Sequence, residues 1–497
     1  MNSILNIIQN GGIKLSCKIA TGVMQLVMLP IIIKYVTIEG FGVWETILAV
    51  TQIFTFIQNV VSGTMLWKLP RYYVENKYVT IALTVRYGIF FYLICFIFIW
   101  PLIYVFSDNI LLMLNIKQEY LKSSSIIFPI VFLFIIINAV NDLFAAVINS
   151  SQQSGVTYSI QTVAYFINYS VTIYSFSRDC GIFSLLYGIM VGYTFNFLIF
   201  LYYSKKLCKT ISILPAVPKR SEINAVLKYT VNLSIGSLSS FLRSQSDKIV
   251  LAFFASSVWV GYYGIANRLA SQLMEISGLF YISIITNISA HKSSNSNIVI
   301  HNLFTKMSML LTVSVGFATA LLAGCYQEIL SLWIKRVDNE VVIILLLLVL
   351  GNYVAIALTG AGTAICKGLG KIEIETNYLV LNLFINIILT IILVSSVGSL
   401  GTVIASTLSW IISSVYFAYK FNVFMKFKAE IDVLIIIIIS LMTPLITQFI
   451  KYKLIFYSAD VPQIQLLLYT ATLTLSIYIS LVFISRIFLI RKTATIL

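Results

Sequence analysis

The sequence predicts an all-α integral membrane protein with about fourteen transmembrane helices, arranged as two six-helix lobes around a central cavity plus a C-terminal helix pair. Three observations predict it. The composition, 59% hydrophobic and 10% charged with 8 Pro in 497 residues, lies outside the range of water-soluble domains. Apolar runs of the roughly 20 residues needed to cross a hydrocarbon core of about 30 Å recur along the chain, separated by short polar breaks. The basic residues sit at the edges of these runs, and mostly on one side.

In chain order, spans are expected near residues 13–35, 41–65, 80–106, 124–148, 157–177 and 182–204. A second set follows near 228–254, 260–285, 304–325, 340–366, 373–395 and 399–420, and a last pair near 432–450 and 464–485. The first span has a short polar lead and no small-residue cleavage site behind it, so it reads as an uncleaved span rather than a signal peptide. Cys17, Cys95, Cys180, Cys208, Cys325 and Cys366 are scattered singly with no CxxC pair. That argues against a disulfide framework or a metal site, and they read as packing residues.

The net charge of +15 does not point to nucleic acid, because the cations are not gathered into one solvated, aromatic-laced patch. They report topology instead. With both termini cytoplasmic, the outer breaks hold only Lys34, Lys117, Lys122, Arg178, Lys335, Arg336, Lys451 and Lys453, and most of the remainder falls on the inner side. This obeys the positive-inside rule and requires an even number of spans. Arg86, Arg243, Lys248 and Arg268 are left inside helices.

Internal repetition sets the domain boundaries. KYVTIEGFGVWE, from Lys34 to Glu45 after the first span, matches FASSVWVGYYGIA, from Phe254 to Ala266 after the seventh. SSQQSGVTY from Ser150 likewise matches AICKGLGKI from Ala364. Both pairs place six spans in each repeat. The expected domains are an N-lobe over 1–204, a basic cytoplasmic linker over 205–225, a C-lobe over 226–422, and spans thirteen and fourteen with a cytoplasmic tail over 423–497. The linker's cations suit the anionic inner leaflet at about 1 kcal/mol each.

Two six-helix bundles, a basic linker and the stretch SFLRSQSDKIVLAFFASSVWVGYYGIANRLA from Ser240 together resemble the polysaccharide exporters of the multidrug/oligosaccharidyl-lipid/polysaccharide (MOP) superfamily, and among them the Wzx-type O-antigen flippases. The resemblance spans about 420 residues in layout, with Arg243 to Ala270 as its motif-like part. It implies translocation of a polyprenyl-diphosphate-linked oligosaccharide from the inner to the outer leaflet of a bacterial inner membrane, and no enzymatic activity. It implies as partners that lipid-linked glycan, the bilayer, a coupling ion (proton or sodium), and a glycan polymerase with its chain-length regulator. Many members have twelve spans. Fourteen is the layout of lipid II flippases, whose added pair is associated with a groove for the lipid tail; the last pair here is either such a pair or peripheral.

Charges at mid-membrane cost at least about 2.5 kcal/mol each, so they persist where they meet a partner or a cavity. With the turn between spans seven and eight placed near residues 257 and 258, Asp247 and Arg268 lie at one level about 15 Å below it, and an ion pair is expected. Arg243 and Asp247 share one helix face, as do Arg268, Gln272 and Glu275. Two readings stay open: a neutral network clamping two helices, or a site in which Arg243, Arg268 and Lys248 attract the diphosphate through planar or point-charge donors while Asp247 holds them in place. Lys14, Lys18 and Arg86 either snorkel to the inner surface or form a cationic entrance. Glu45, Gln52 and Asn59 form a polar stripe on span two, and Asn138, Asp142 and Asn149 another on span four. These line a sugar path or bond helix to helix.

No cofactor is expected, since there is no GxxxxGK[ST] loop and no soluble segment long enough for a nucleotide domain. Secondary coupling needs a titratable group inside the membrane, and Glu45, Asp142, Asp247 and Glu275 are the candidates. The rivals are a cation-coupled drug antiporter of the same superfamily, favoured by a net negative cavity, and a membrane glycan polymerase, which would need a long outer loop that the sequence lacks.

Overall fold

The computed structural model describes residues 2–217, 238–239, 241–242, 245–290, 297–335, 338–369, 371–427, 431–455 and 462–494. Among them the chain forms fifteen α-helices and no strand. This follows from the solvent: in hydrocarbon every backbone N–H and C=O must be satisfied internally, and a helix does so within its own segment. Ten of these helices are long and apolar enough to cross a membrane, and the chain is a multi-pass membrane protein. Two compact units divide the chain, Met1–Gly261 and Tyr262–Leu497.

The first unit contains α1 (Asn2–Thr51), α2 (Ile53–Val74), α3 (Tyr78–Met113), α4 (Gln118–Ser150), α5 (Ser154–Phe176) and α6 (Phe183–Leu207), then α7 over 245–254 and the start of α8 (Ser257–Ala290). Helix α1 is two rods joined at Thr37, whose φ of 66° and ψ of 170° break the helix. That backbone region strains a residue with a Cβ. The Thr37 hydroxyl accepts a hydrogen bond from the Gly40 amide at 3.3 Å, capping the second rod. A second interruption at Gln52 separates that rod from α2.

Helix α4 is the centre of this unit and packs against α1, α2, α3 and α6. Its apolar side chains from Ile127 to Ile148 are largely buried, whereas α3 turns Ile97, Phe98, Leu102 and Val105 outward. The outward row is the lipid-facing band. Helices α5 and α6 approach closely through Gly188 and Gly192, four residues apart on one face of α6. A Cβ on Gly188 would lie 2.1 Å from Thr172 Oγ1 and 2.8 Å from the Asn168 carbonyl oxygen. This is small-residue packing between membrane helices. At the α2–α3 break, hydrogen bonds from Lys77 and then Arg71 hold the exposed Glu75 carboxyl below the usual carboxylate range.

The second unit comprises the rest of α8, then α9 (Asn297–Gly324), the short α10 (Tyr326–Trp333), α11 (Asn339–Leu369), α12 (Ile372–Val397), α13 (Ser399–Met425), α14 (Ile431–Ile455) and α15 (Gln463–Ala494). Helix α11 packs against α9, α12, α13 and α14. The C-terminal pair is bonded into this unit. Tyr353 of α11 is fully buried, and its hydroxyl lies 2.7 Å from Ser440 Oγ of α14. Tyr478 of α15 donates to the Val313 carbonyl of α9 at 2.9 Å. Lys451 of α14 forms a buried ion pair with Glu328 of α10 and donates to Gln327 at 3.0 Å.

Replacing Gly188 by Leu is expected to push α5 from α6 and cost about 1–3 kcal/mol, the range for overpacking a filled interface. Thermal unfolding of the purified protein in detergent measures it as a lowered midpoint.

Candidate functional site

The sequence-derived polar stripe of span two faces α7. Glu45, 4% exposed, accepts a hydrogen bond at 2.6 Å from Lys248 Nζ. Further along in the same antiparallel sense, Gln245 Nε2 donates to Gln52 Oε1 at 2.8 Å. Glu45 and Gln52 stand seven residues apart and Gln245 and Lys248 three apart, so each pair lies on one helix face. Lys248, expected among the diphosphate-binding cations, is thus neutralised in this structure by Glu45. Asp247 is buried on the same helix, and Arg243 lies outside the described residues.

Beyond this ladder the two hairpins matched as repeats meet. A Cβ on Gly42 would sit 1.6 Å from the Ser257 carbonyl oxygen and 2.9 Å from the Gly261 amide nitrogen, and one on Gly261 would lie 2.4 Å from the Ile38 carbonyl oxygen. Backbone therefore touches backbone here, which the Gly at each place permits. The α3–α4 loop secures the contact from the side. Asn115 Nδ2 donates to the Phe253 carbonyl at 2.6 Å, satisfying one of the carbonyls that the end of α7 leaves open. Lys117 pairs with Glu39 at 2.9 Å, and this hydrogen-bonded carboxylate raises the lysine above its usual range.

The stripe of span four faces the interior of the first unit. Asp142 Oδ2 accepts a hydrogen bond from Gln58 Nε2 at 2.5 Å, and the Tyr92 hydroxyl donates to the Gln58 carbonyl at 3.4 Å. Asn141 donates to the Tyr193 carbonyl at 3.1 Å, and Asn149 accepts from Thr157 at 2.9 Å. Asn138 is half-buried, and the side chain of Asn59 lies outside the described residues. Gln58 was not expected. The interruption at Gln52 resets the helical phase, so a seven-residue spacing counted from Glu45 stops being valid at α2.

Among the basic residues expected at the entrance, Lys14 lies 4.8 Å from the centre of the Tyr158 ring and Lys18 is half-buried. Arg86 points at the linker, where its Nε donates to the Leu214 carbonyl at 2.8 Å. In the second unit Arg268 is half-buried and Glu275 exposed, while Gln272 Nε2 donates to the Arg268 carbonyl of its own helix at 3.1 Å. The turn before α8 falls at 255–256, not at 257 and 258. Counted along the chain, Asp247 is eight residues before that turn and Arg268 twelve beyond it.

The second unit also holds an apolar cavity of about 690 Å³ lined by Phe304, Ser308, Leu358, Val415, Ala418, Phe421 and Leu434, with Lys426 and Asn422 among its few polar groups. It is built from α9, α11, α13 and α14. No sequence pattern marked it, because its wall comes from four helices whose packing partners a sequence does not name.

Residues 7–286 match the model of the family described as polysaccharide biosynthesis protein. The fold is similar to the structure of the lipid II flippase MurJ in its inward closed conformation, with 15% identity, a TM-score of 0.70, and coverage of 97% of this chain and 100% of that one. It is also similar to a mutant of the Vibrio cholerae MATE transporter VcmN, with 15% identity and a TM-score of 0.62 over 85% of this chain and 96% of that one. A multidrug resistance MATE family transporter of the MOP superfamily, inward-facing, matches with 11% identity and a TM-score of 0.63 over 84% of this chain and 98% of that one. Among proteins of curated function none matches.

Removing one partner of a buried pair leaves the other charge stranded, at a cost of about 3–5 kcal/mol, whereas replacing both by apolar residues is close to neutral. Glu45→Leu alone is therefore expected to lower thermal stability sharply, and Glu45→Leu with Lys248→Leu to recover most of it. A single variant as stable as the wild type would show that the pair is not closed in the membrane.

Proposed function

From a chain that belongs to the polysaccharide biosynthesis protein family and has the fold of MOP-superfamily transporters, we propose that this protein is a flippase. Its substrate is a polyprenyl-diphosphate-linked oligosaccharide, the repeat unit of O-antigen or a related surface polysaccharide. It carries that substrate from the cytoplasmic to the periplasmic leaflet of a bacterial inner membrane, with about fourteen spans and both termini cytoplasmic.

The observation that carries this reading is the C-terminal pair α14–α15, bonded into the second unit beside an apolar cavity. The likeness to the lipid II flippase runs over 97% of the chain. The MATE transporter matches run over 84–85% of it. An added helix pair suits a substrate with a long hydrocarbon tail, which has to stay in an apolar medium while its head group crosses. In the α9–α11–α13–α14 cavity the tail meets Phe304, Val415 and Leu434, and Lys426 meets the anionic end. Arg243, Lys248 and Arg268 are the cations assigned to the diphosphate within the spans, and Glu45 releases Lys248 as the substrate arrives. The glycan polymerase and its chain-length regulator act on the product.

Deleting the gene in its host is expected to abolish surface glycan and to accumulate complete, unpolymerised lipid-linked units facing the cytoplasm. Unchanged glycan with new sensitivity to cationic dyes would establish a drug antiporter instead. Within the flippase reading, Ala418→Trp fills the cavity and is expected to lower glycan export by about tenfold or more, the effect of losing roughly 1.4 kcal/mol of binding. Export is measured by complementing the deletion, with the variant's membrane level matched to wild type.

A further inference from the structure

Four carboxylates were candidates for the coupling site, and the structure separates them by partner. Glu45 is neutralised by Lys248, Glu275 is exposed, and Asp247 is buried on α7 beside Lys248. Asp142 differs. Its polar partner among the described residues is the neutral amide of Gln58, at 2.5 Å.

The titratable groups that face Asp142 from the helices packed on α4 are Tyr92 of α3, with Cys95 one turn away, and Tyr193 of α6. From α2 it is met by Gln58. No Lys, Arg or His stands among these neighbours. A carboxylate held by a single amide N–H in an apolar interior is a poorly compensated charge.

The amide supplies a second, independent observation. Gln58 is 6% exposed, and its Oε1 is buried with no donor reaching it. A buried acceptor left without a donor costs about 1–3 kcal/mol. One proton on Asp142 resolves both defects. A carboxylic acid and a primary amide bond reciprocally, with the amide N–H donating to one carboxyl oxygen and the acid O–H to the amide oxygen. The carboxylate is an acceptor only and cannot supply that O–H. Asp142 itself is half-buried, whereas Gln58 is buried.

We propose that Asp142 and Gln58 form a proton-binding site within the first unit, Asp142 taking up one proton from water and Gln58 holding the protonated form through its otherwise orphaned oxygen. The step is a protonation with no other bond made or broken, and it changes the charge of the α2–α4 interface from −1 to zero. Resting on the flippase reading, the site makes translocation responsive to the transmembrane pH gradient. Asp142 carries the proton, and Gln58 is a positioning residue.

The test is infrared difference spectroscopy of the full-length protein in lipid bilayers between acidic and alkaline buffer, without sodium and then with it. A carbonyl stretch of a protonated carboxylic acid is expected in acidic buffer. It should vanish in Asp142→Asn, which folds with an equivalent amide pair, and shift in frequency in Gln58→Leu, which removes the partner. A merely structural clamp would give no such band, and its absence from the wild type would overturn the proposal. A carboxylate signal that responds to sodium and not to pH would overturn it in favour of a metal cation. In cells, collapse of the pH gradient by an ionophore is expected to slow glycan export by wild type and to leave the residual export of Asp142→Asn unaffected; equal slowing of both would overturn the coupling role. The infrared experiment uses no lipid-linked glycan, so it stands or fails separately from the flippase assignment.

Discussion

Inside a bilayer no water is available to satisfy a polar group, and that single constraint organises this molecule. Backbone groups meet it by forming helices. Side chains meet it by finding one another across helix faces, and the bonds they make are the ones that fix which helices touch. Lys248–Glu45 and Gln245–Gln52 align α7 with the second rod of α1. Asn382–Ser413 and Asn386–Ser406, each at 2.8 Å, align α12 with α13. Tyr353, Ser440 and Tyr478 tie α11, α14 and α15 together. Apolar surface alone gives no such register, because lipid tails solvate it as well as a neighbouring helix does.

The constraint also explains what could be read in the sequence. Apolar runs longer than about 20 residues stand out against polar breaks, so most rods of the fold were legible from residue type alone. Their ends were less so. Helix α3 runs to Met113, past the polar Ser107, Asp108 and Asn109 that seemed to close it, because a helix that leaves the membrane loses nothing by continuing into water. The short α10 had no signature of its own, being too brief to span.

For the site, sequence spacing is reliable within one helix and silent between helices. It put Glu45 and Gln52 on one face and Asp142 on another. It did not name Lys248 as the partner of Glu45, and it set the turn before α8 two residues too late, since that turn falls at 255–256. Gln58 was hidden by the break at Gln52, where the phase of the stripe is lost. The cavity beside α13 and α14 was invisible for a different reason: its lining is ordinary apolar sequence, and only the packing of four helices leaves space there.

Three carboxylates carried on helices show how differently the same charge is accommodated. Glu328 and Glu45 each meet a lysine, so each pair is neutral whatever the local potential, and the field across a membrane exerts little net force on it. Asp142 meets an amide, so its charge depends on whether a proton is bound. A transmembrane potential does work on a net charge of about 2.3 kcal/mol per 100 mV for full crossing, and a proton gradient acts only through a group that can bind and release protons. A neutral pair is suited to holding helices in register or to parting when a more strongly charged substrate competes for the lysine. A carboxyl with an amide partner is suited to sensing the energy source. Among the described residues the first unit holds both kinds, with Glu45 on the second rod of α1 and Gln58 on α2, the rod that follows it beyond Gln52. Asp142 therefore bonds to the helix that follows, beyond Gln52, the rod presenting Glu45 to Lys248.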